Sequence, residues 1–234
     1  MKNINQLKKT NVTKVFDEVF NKYDVMNDLM SLGAHRIWKN KLIDWMNPGK
    51  NDHMVDIASG TGDIAKAFLK RTKLSGTVKC VEPNKNMLEV GEKKLKKFNK
   101  VKWYNSSAEK LPFKNDTFDI YVVSFGIRNF YDIKLALKES RRVLKTGGRF
   151  LCLEFSKVNN EVFSKIYKKY SKLIPSVGKY VVGRSEPYDY LIKSIEEFYN
   201  QEELLSSIRE AGYENTEYRD LSGGIAAIHS GWKI

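Results

Sequence analysis

Residues 54–65, Met-Val-Asp-Ile-Ala-Ser-Gly-Thr-Gly-Asp-Ile-Ala, decide the fold of this 234-residue chain. The apolar start predicts a strand over residues 53–58, and a helix over residues 62–71 begins directly after a turn of small residues. Gly60 and Gly62 allow a tight turn whose backbone can approach a ligand where a Cβ atom would collide. The stretch therefore predicts a strand–turn–helix unit with a ligand pocket beside the turn.

Short strands and helices alternate along most of the chain. We predict further strands at 77–82, 101–105, 118–124 and 149–155, helices at 84–97, 132–144 and 201–211, and a closing hairpin of strands 215–220 and 224–233 around Ser222-Gly223. Lys145-Thr146-Gly147-Gly148 is expected to end the helix at 132–144 as a glycine C-cap. This alternation is typical of an α/β, doubly wound, mostly parallel sheet, here with seven strands and an antiparallel C-terminal hairpin.

Two segments add helices outside this alternation. Apolar side chains at helical spacing predict helices at 12–30, 34–46 and 160–181. We expect a helical N-terminal cover over residues 1–50 and a helical insertion after the fifth strand, over residues 157–200, that acts as a lid or binds substrate. No repeat or linker interrupts the chain, which predicts a single domain over residues 1–234.

The composition limits the partners and the compartment. Lys and Arg number 41 and Asp and Glu 28, a formal net charge of +13, which favours anionic partners such as nucleic acid or lipid headgroups and also fits a genomic base bias. Cys80 and Cys152 lie in apolar runs, as expected of buried thiols in a reducing compartment. The three histidines are scattered, so no metal site is predicted. Without a secretory signal or a long apolar run, we expect a cytoplasmic protein.

Polar residues follow the predicted strands at the sheet edge where ligands bind in such folds. Asp56 lies just before the glycine turn and can meet an amine, and Glu82 ends the second strand, where an acid can bind both hydroxyls of a ribose. Ser107 and Ala108 follow the third strand, beside the expected adenine, and Ser124 ends the fourth. A ribose, an adenine and an amino-acid tail together suggest S-adenosylmethionine.

A dinucleotide is the alternative ligand of the glycine turn. Residues 60–65 also fit the pattern G-x-G-x-x-A, in which glycines hold a pyrophosphate at a helix N-terminus. Asp56 and Asp63 flank the turn, and both would repel a diphosphate. A positively charged sulfonium cofactor is therefore favoured over a nicotinamide dinucleotide.

Several longer motifs carry a family resemblance. They are Lys22-Tyr23-Asp24-Val25-Met26-Asn27-Asp28-Leu29-Met30-Ser31, His35-Arg36-Ile37-Trp38, the glycine turn, Ser124-Phe125-Gly126-Ile127-Arg128-Asn129, Leu151-Cys152-Leu153-Glu154-Phe155-Ser156 and residues 221–232. From about residue 12 to its end, the chain resembles the C-methyltransferases of ubiquinone and menaquinone biosynthesis, which are 2-methoxy-6-polyprenyl-1,4-benzoquinol methylases and demethylmenaquinone methyltransferases. The resemblance implies one Rossmann-like, class I S-adenosylmethionine-dependent methyltransferase domain.

The resemblance also implies cofactor contacts. They fall on Thr61, Glu82, Ser107 with Ala108, and Ser124, next to the Asp56, Gly60 and Gly62 already identified from the turn. The family usually has Asp where Glu82 stands and often has Asp or Asn where Ser107 stands. A slightly shifted ribose and more backbone recognition of adenine are expected from these two differences.

The implied reaction methylates a ring carbon of a polyprenylated hydroquinone, either a 2-polyprenyl-6-methoxy-1,4-benzoquinol, a demethylmenaquinol, or both. Removal of the hydroxyl proton increases electron density on the ortho carbon, so a base or a cation that stabilises the phenolate is required. The candidates for this role are Arg128 first, followed by Asp24, Glu154 and Tyr188. His35, next to Trp38 on a helix, is interpreted as structural.

The polyprenyl tail implies contact with lipid. The basic, aromatic-bearing helix at 160–181 suits a membrane surface, and an ordinary lid with a solvated lysine face is the alternative. We expect a bacterial cytoplasmic enzyme, peripheral at the inner face of the cytoplasmic membrane; a homodimer and a complex with other quinone-biosynthesis enzymes stay open.

A nucleic-acid methyltransferase is the main rival. The Lys93-Lys94 and Lys96-Lys97 cluster supports it, but these lysines are expected to form a solvated helix face far from the pocket. No Asn-Pro-Pro-Tyr-like motif follows the fourth strand, so no nucleic-acid partner is expected. A non-catalytic partner with the same fold is disfavoured because every expected pocket position holds a workable residue.

Overall fold

The structure, a computed structural model, describes residues 28–158, 170 and 186–234. Within these residues the helices and strands, numbered in chain order, are α1 (His35–Met46), β1 (His53–Ile57), α2 (Asp63–Arg71), β2 (Thr77–Val81), α3 (Lys85–Leu95), β3 (Val101–Tyr104), β4 (Phe118–Ser124), α4 (Ile133–Val143), β5 (Leu144–Phe155), α5 (Glu186–Glu197), α6 (Gln201–Glu210), β6 (Glu214–Leu221) and β7 (Ala226–Trp232). Short 3₁₀ turns lie at Ile127–Asn129 and Ser222–Gly224.

The seven strands form one sheet in the order β3-β2-β1-β4-β5-β7-β6. The pairs from β3 to β5 are parallel, and β7 lies antiparallel between β5 and β6. The predicted mostly parallel sheet with an antiparallel C-terminal hairpin is confirmed. The strand order reverses between β1 and β4, and a crevice is expected there at the carboxyl ends of the strands.

Apolar side chains cover both faces of the sheet, as expected for parallel strands packed between helices. One face packs under α1 and α2 through Trp38, Leu42, Met54, Ile64, Phe68, Val122 and Leu153. The other packs under α4 and α6 through Val55, Ile57, Val123, Leu137, Cys152 and Leu204. Side chains alternate between the two faces along each strand, so β1 places Asp56 on the same face as Met54.

Local signals set the beginnings of several helices. The side chain of Asn84 accepts a hydrogen bond from the backbone N–H of Met87 (3.0 Å) at the start of α3, and Asp132 accepts one from Leu135 (2.9 Å) at the start of α4. Asparagine and aspartate are preferred at these positions because their side chains satisfy backbone donors that have no partner inside the helix.

The glycine C-cap predicted for Lys145 to Gly148 is wrong. The helix α4 ends at Val143, and β5 begins at once with Leu144 opposite Phe118. The next residues bulge within the strand, where Gly147 donates to the carbonyl of Lys233 (2.7 Å) and Gly148 accepts from the N–H of Lys233 (3.0 Å). Pairing with a segment almost ninety residues away determines this stretch, and a local helix-ending signal does not report such pairing.

The helix α5 lies within the helical insertion expected over residues 157–200, although no separate helix was predicted at its position and its sequence carries the signal. Tyr188, Leu191 and Ile195 are buried and recur at intervals of three and four residues. The expected helices at 12–30 and 160–181 lie almost wholly outside the described residues. Within the described part of the chain, no helix combines the length and apolarity that a membrane crossing requires, and no cluster of potential metal ligands occurs.

Candidate active site

The loops after β1 and β4 meet at the point where the strand order reverses. A Cβ atom placed on Gly126 would lie 2.5 Å from the Cβ of Ala58, far closer than two carbons can approach. Only glycine therefore allows the two loops to pack together here. The contact joins the glycine turn to the Phe125–Asn129 loop, which carries another of the family-like motifs.

The glycine turn has the backbone that its sequence predicts. Gly60 and Gly62 have φ angles of +55° and +83°, in the region that L side chains rarely adopt. A Cβ at Gly62 would lie 2.6 Å from Leu95 Cδ1, whereas a Cβ at Gly60 would have no atom of the described residues within 4 Å. Gly62 is thus required for packing against α3, and Gly60 faces open space that a ligand can occupy.

Asp56, the penultimate residue of β1, is a buried carboxylic acid that is only 1% exposed. Among the described residues neither oxygen makes a hydrogen bond of normal geometry, although the backbone N–H of Ala65 lies close enough to favour the ionised form. Burial raises its pKa to about 8, although the backbone of Ala65 and the charge of Lys39 act in the opposite direction. Asp56 is therefore mostly protonated at neutral pH and lies deeper than the pocket mouth that the sequence suggested.

Ser124 at the end of β4 is a second buried group of this kind. Its Oγ atom has no hydrogen-bond partner among the described residues. Ser124 follows Val122 by two residues, and Val122 pairs with Asp56, so both polar side chains point to the same face of the sheet. Buried polar groups are almost always hydrogen-bonded, and two on adjacent strand ends indicate a place for a polar ligand.

Glu82 lies directly after β2 and is held by backbone amides. One carboxylate oxygen accepts from Gly60 N (2.9 Å) and the other from Asn84 N (2.9 Å). Burial raises the pKa of Glu82 to about 7, with these two hydrogen bonds acting against the shift. Each oxygen keeps a further lone pair, so the carboxylate can accept the two hydroxyls of a ribose beside the glycine turn.

Lys94 on α3 reaches the glycine turn, which corrects its interpretation as part of a remote solvated face. Its Nζ lies 3.0 Å from Thr61 Oγ1 and 2.7 Å from Asp63 Oδ1, and Lys39 Nζ lies 2.9 Å from the other oxygen of Asp63. Burial acts to raise the pKa of Asp63, but the two ammonium groups outweigh it and hold that pKa well below its usual range.

These contacts weaken the electrostatic argument against a dinucleotide. Asp63 is neutralised by two lysines, and Asp56 is mostly protonated, so neither repels a diphosphate as the sequence suggested. Long flexible lysines on separate helices were not visible as neighbours in the sequence. The choice between the two cofactors must therefore come from other observations.

The loop after β3 places Ser107 and Ala108 at the same sheet edge. Ser107 is exposed and Ala108 is buried. The side chain of Asn105 donates to the carbonyls of Glu82 and Pro83 (2.9 Å each), which fixes this loop beside the end of β2. The predicted cofactor residues thus lie in the last residues of β1 and β4 or on the loops that follow β1, β2 and β3, four neighbouring strands at one edge of the sheet.

Two of the predicted catalytic residues, Arg128 and Glu154, form a buried ion pair. Arg128 Nη1 lies 2.5 Å from Glu154 Oε1 and 2.8 Å from the carbonyl oxygen of Phe125, and both side chains are 1% exposed. Burial raises the pKa of Glu154, with the charge of Arg128 acting against it. The pair ties the loop after β4 to the end of β5, where the guanidinium also lies 5.6 Å from the ring centre of Phe155.

Tyr188, the next candidate, is a fully buried phenol. Its hydroxyl has no hydrogen-bond partner among the described residues, and burial raises its pKa. Its neighbour on α5, Tyr190, donates to Asn129 Oδ1 (2.9 Å), so α5 contacts the loop after β4. Asp24, the remaining candidate, lies outside the described residues.

His35 has the structural contacts expected of it. The side chain is buried, and Nε2 lies 2.9 Å from Asp28 Oδ1. Its backbone N–H donates to Ser31 Oγ (3.1 Å). Burial lowers the pKa of His35 despite the neighbouring carboxylate of Asp28.

An aromatic cluster beside the site was not identified from the sequence. Trp38, Phe125 and Phe155 pack with ring centres 4.9–6.3 Å apart at the carboxyl ends of β4 and β5. The indole N–H of Trp38 donates to Ser222 Oγ (3.0 Å). The sequence did carry a signal for this aromatic cluster, because Phe125 and Phe155 come directly after Ser124 and Glu154 at the strand ends.

Comparison with known proteins decides between the two cofactors. A model of the ubiE/COQ5 methyltransferase family matches residues 4–233. The chain belongs to the ubiE/COQ5 methyltransferase family. The "Ubiquinone/menaquinone biosynthesis C-methyltransferase UbiE" of Rickettsia akari is 47% identical over 230 residues, which span 95% of this chain and 92% of that relative. Family membership confirms the prediction of an S-adenosylmethionine-dependent methyltransferase.

Solved structures confirm the fold without indicating a substrate. A SAM-dependent methyltransferase of Thermotoga maritima, described as a possible histamine N-methyltransferase, has a TM-score of 0.67 at 23% identity and covers 95% of this chain and 99% of its own. The cyclase SpnF has a TM-score of 0.69 at 14% identity, with 95% and 94% covered. Because such different activities share the fold, the substrate must be inferred from the family and the site.

Proposed function

We propose that this chain transfers the methyl group of S-adenosylmethionine to a ring carbon of a polyprenylated hydroquinone, a 2-polyprenyl-6-methoxy-1,4-benzoquinol, a demethylmenaquinol, or both. The observation that carries this proposal is the 47% identity to a ubiquinone/menaquinone biosynthesis C-methyltransferase along nearly the whole chain. The local geometry supports it through a polar crevice beside an aromatic wall.

The crevice residues fit the cofactor. Asp56 and Ser124 supply buried polar groups without partners in the described structure, Gly60 faces open space, and Glu82 is oriented by backbone amides. Ser107 and Ala108 lie where an adenine would extend from a ribose on Glu82. When bound, S-adenosylmethionine supplies an electrophilic methyl group on a positively charged sulfur.

The protein's own task is to ionise the quinol and to exclude water around the reacting carbon. The rings of Trp38, Phe125 and Phe155 pack together, fully buried, at the carboxyl ends of β4 and β5. An apolar surrounding of this kind next to the reacting groups would strengthen hydrogen bonds and charge interactions there. Tyr188 is buried in the same apolar cluster, and its hydroxyl, which has no partner among the described residues, can donate a hydrogen bond to a quinol oxygen. Such a donor stabilises negative charge on that oxygen as its proton leaves.

The contacts of Arg128 favour a positioning role over direct contact with a phenolate. Its guanidinium is committed to Glu154 and to the carbonyl of Phe125 and is almost fully buried. Through these bonds Arg128 holds the Phe125–Asn129 loop, which carries one side of the aromatic wall. Asp24 stays a proposed catalytic residue.

A lipid-bound substrate requires access to a membrane. The net charge of +13 suits an anionic surface, and Leu32 and Ile37 are 77% and 59% exposed on either side of the basic Arg36. We propose peripheral contact with the inner face of the cytoplasmic membrane. A homodimer and a complex with other quinone-biosynthesis enzymes belong to the same proposal.

Lipid extraction from cells that lack this protein tests the proposal. Accumulation of a quinone precursor that lacks one ring methyl group, with recovery on return of the gene, is the expected result. Unchanged quinones together with altered RNA methylation would overturn the proposal in favour of a nucleic-acid substrate.

A further inference from the structure

Two lysines from different helices approach the glycine turn. Lys94 and Lys39 approach Asp63 from two sides, at 2.7 Å and 2.9 Å, so two ammonium groups share one carboxylate. The other two acids beside the turn among the described residues are Asp56 and Glu82, and burial raises the pKa of Asp56 to about 8 and that of Glu82 to about 7. Near Thr61 the two ammonium groups are therefore not matched by fully ionised carboxylates in the described part of the chain.

Of the two lysines, Lys94 is the better placed to bind a negatively charged group of a ligand. Its Nζ donates to Thr61 Oγ1 (3.0 Å), and its side chain is 33% exposed, whereas that of Lys39 is 15% exposed. Because the Thr61 oxygen accepts from Lys94, the hydroxyl keeps its own proton to donate. An ammonium and a hydroxyl donor at hydrogen-bond distance from each other form a site for a carboxylate oxygen.

We propose that Lys94, together with Thr61, receives the carboxylate of the cofactor's methionine moiety. This inference rests on S-adenosylmethionine being the cofactor. The moiety carries an ammonium as well as a carboxylate. Asp56, which precedes the turn, matches the ammonium, and Lys94, which contacts Thr61 from α3, matches the carboxylate. Lys94 is thus a cofactor-binding residue on α3, outside the strand ends where the cofactor contacts were predicted.

The alternative is a purely structural role, in which the hydrogen bonds of Lys94 only hold α3 against the turn. In that role Lys94 would contribute equally to the affinity for every ligand of the pocket. As part of a carboxylate site, it would contribute only to the affinity for ligands that have a carboxylate. Three probes separate these roles. S-adenosylhomocysteine has the carboxylate, decarboxylated S-adenosylmethionine lacks only that group relative to the cofactor, and 5′-methylthioadenosine lacks the whole amino-acid tail.

The experiment measures dissociation constants of these probes and of S-adenosylmethionine by calorimetry for wild type, Lys94→Met and Lys93→Met. Lys93→Met is the matched control because Lys93 is an exposed neighbour on the same helix. Lys94→Met should weaken S-adenosylmethionine and S-adenosylhomocysteine about tenfold, which corresponds to about 1.4 kcal/mol. It should leave the other two probes within about twofold, and Lys93→Met should leave all four within that margin.

Equal weakening of all four ligands by Lys94→Met, or no weakening of any, would overturn the inference. If Lys94→Met does not fold, Lys94→Gln replaces it, and the same ratio of affinities for S-adenosylmethionine and its decarboxylated form is measured. A wild-type protein that binds S-adenosylmethionine but methylates no quinol contradicts the proposed function and leaves this ratio test decisive. A wild-type protein that binds none of the four overturns both.

Discussion

Arg128 and Glu154 form an ion pair with an Nη1–Oε1 distance of 2.5 Å and with both side chains almost completely shielded from water. The pair links the loop after β4 to the end of β5. Removing one partner of a buried pair leaves the other charge without compensation, which typically reduces stability by about 3–5 kcal/mol. This relationship explains why Arg and Glu occur at the ends of two apolar strands.

Arg128→Ala should therefore reduce the free energy of unfolding by about 3–5 kcal/mol. Lys134→Ala is the control because Lys134 pairs with Glu210 at 3.2 Å while both side chains are largely exposed, and its loss should change stability by less than about 1 kcal/mol. Urea denaturation of both variants measures the difference. A similar small loss for both would contradict the buried ion pair.

Replacement of Gly60 by alanine should weaken cofactor binding more than it weakens the fold. Gly60 and Gly147 both have positive φ, +55° and +79°, and a Cβ at either would meet no atom within 4 Å in the part of the chain that the structure describes. Each alanine should therefore reduce stability by about 1–2 kcal/mol for the backbone alone. Only Gly60→Ala should also weaken S-adenosylmethionine, because its methyl group enters the space beside the turn. Equal affinities in the two variants would place the cofactor elsewhere.

Asp56 should make the stability of the unliganded protein fall as pH rises. Its pKa is about 8 in the folded chain and about 4 when unfolded, so between these values only the folded state keeps the proton. The folded state then loses about 1.4 kcal/mol per pH unit through this group. Asp56→Asn should flatten the decline between pH 5 and pH 8 in denaturation experiments. An unchanged slope would show that Asp56 titrates normally.

Cofactor binding should release a proton from Asp56. An ammonium placed beside this carboxyl group favours its ionised form and lowers its pKa, so at pH 7 close to one proton leaves and affinity rises towards pH 8. Calorimetry in buffers of different ionisation enthalpy counts the proton. Both ligands carry the ribose that Glu82 is expected to bind, so any proton released from Glu82 is common to them. 5′-Methylthioadenosine, which has no ammonium, should release close to one proton fewer than S-adenosylmethionine, and equal release by both ligands would separate Asp56 from the amine.

Tyr188→Phe should reduce turnover without reducing stability. The Tyr188 hydroxyl has no partner in the described structure, whereas the buried hydroxyl of Tyr213 lies 2.7 Å from Ser140 Oγ. Tyr213→Phe should therefore lose about 1 kcal/mol, and Tyr188→Phe should lose nothing or gain slightly. Thermal unfolding and quinol methylation of both variants test this contrast. Full activity in Tyr188→Phe would remove Tyr188 from the reaction.

The first half of the sheet was predictable because its signals are local. The strand β1, the glycine turn and α2 were placed within about a residue from apolar runs, two glycines and helical spacing. Glu82 and Ser124 lie at the sheet edge where they were expected, because parallel strands bring their carboxyl ends to one edge. These features depend only on residues that are adjacent in the chain and on the rule that ligands bind at the carboxyl ends of parallel strands.

Contacts between distant residues were less predictable. Gly147 and Gly148 resembled a helix end, but Lys233 pairs with them inside β5. Lys94 resembled a solvated lysine, but its long side chain bends onto Thr61 from another helix. The pairing of Arg128 with Glu154 likewise joins two motifs that were considered separately. Each of these three contacts depends on the tertiary structure, which the spacing of residues within one segment does not reveal.

The central claim is methyl transfer to a quinol ring, and one measurement tests it most directly. The purified protein is incubated with S-adenosylmethionine carrying a trideuterated methyl group and with each of the two demethylated quinols in lipid vesicles. Mass spectrometry of the extracted quinones should locate the deuterated methyl on a ring carbon of at least one of them. Label on neither ring, in protein that demonstrably binds the cofactor, would contradict the account.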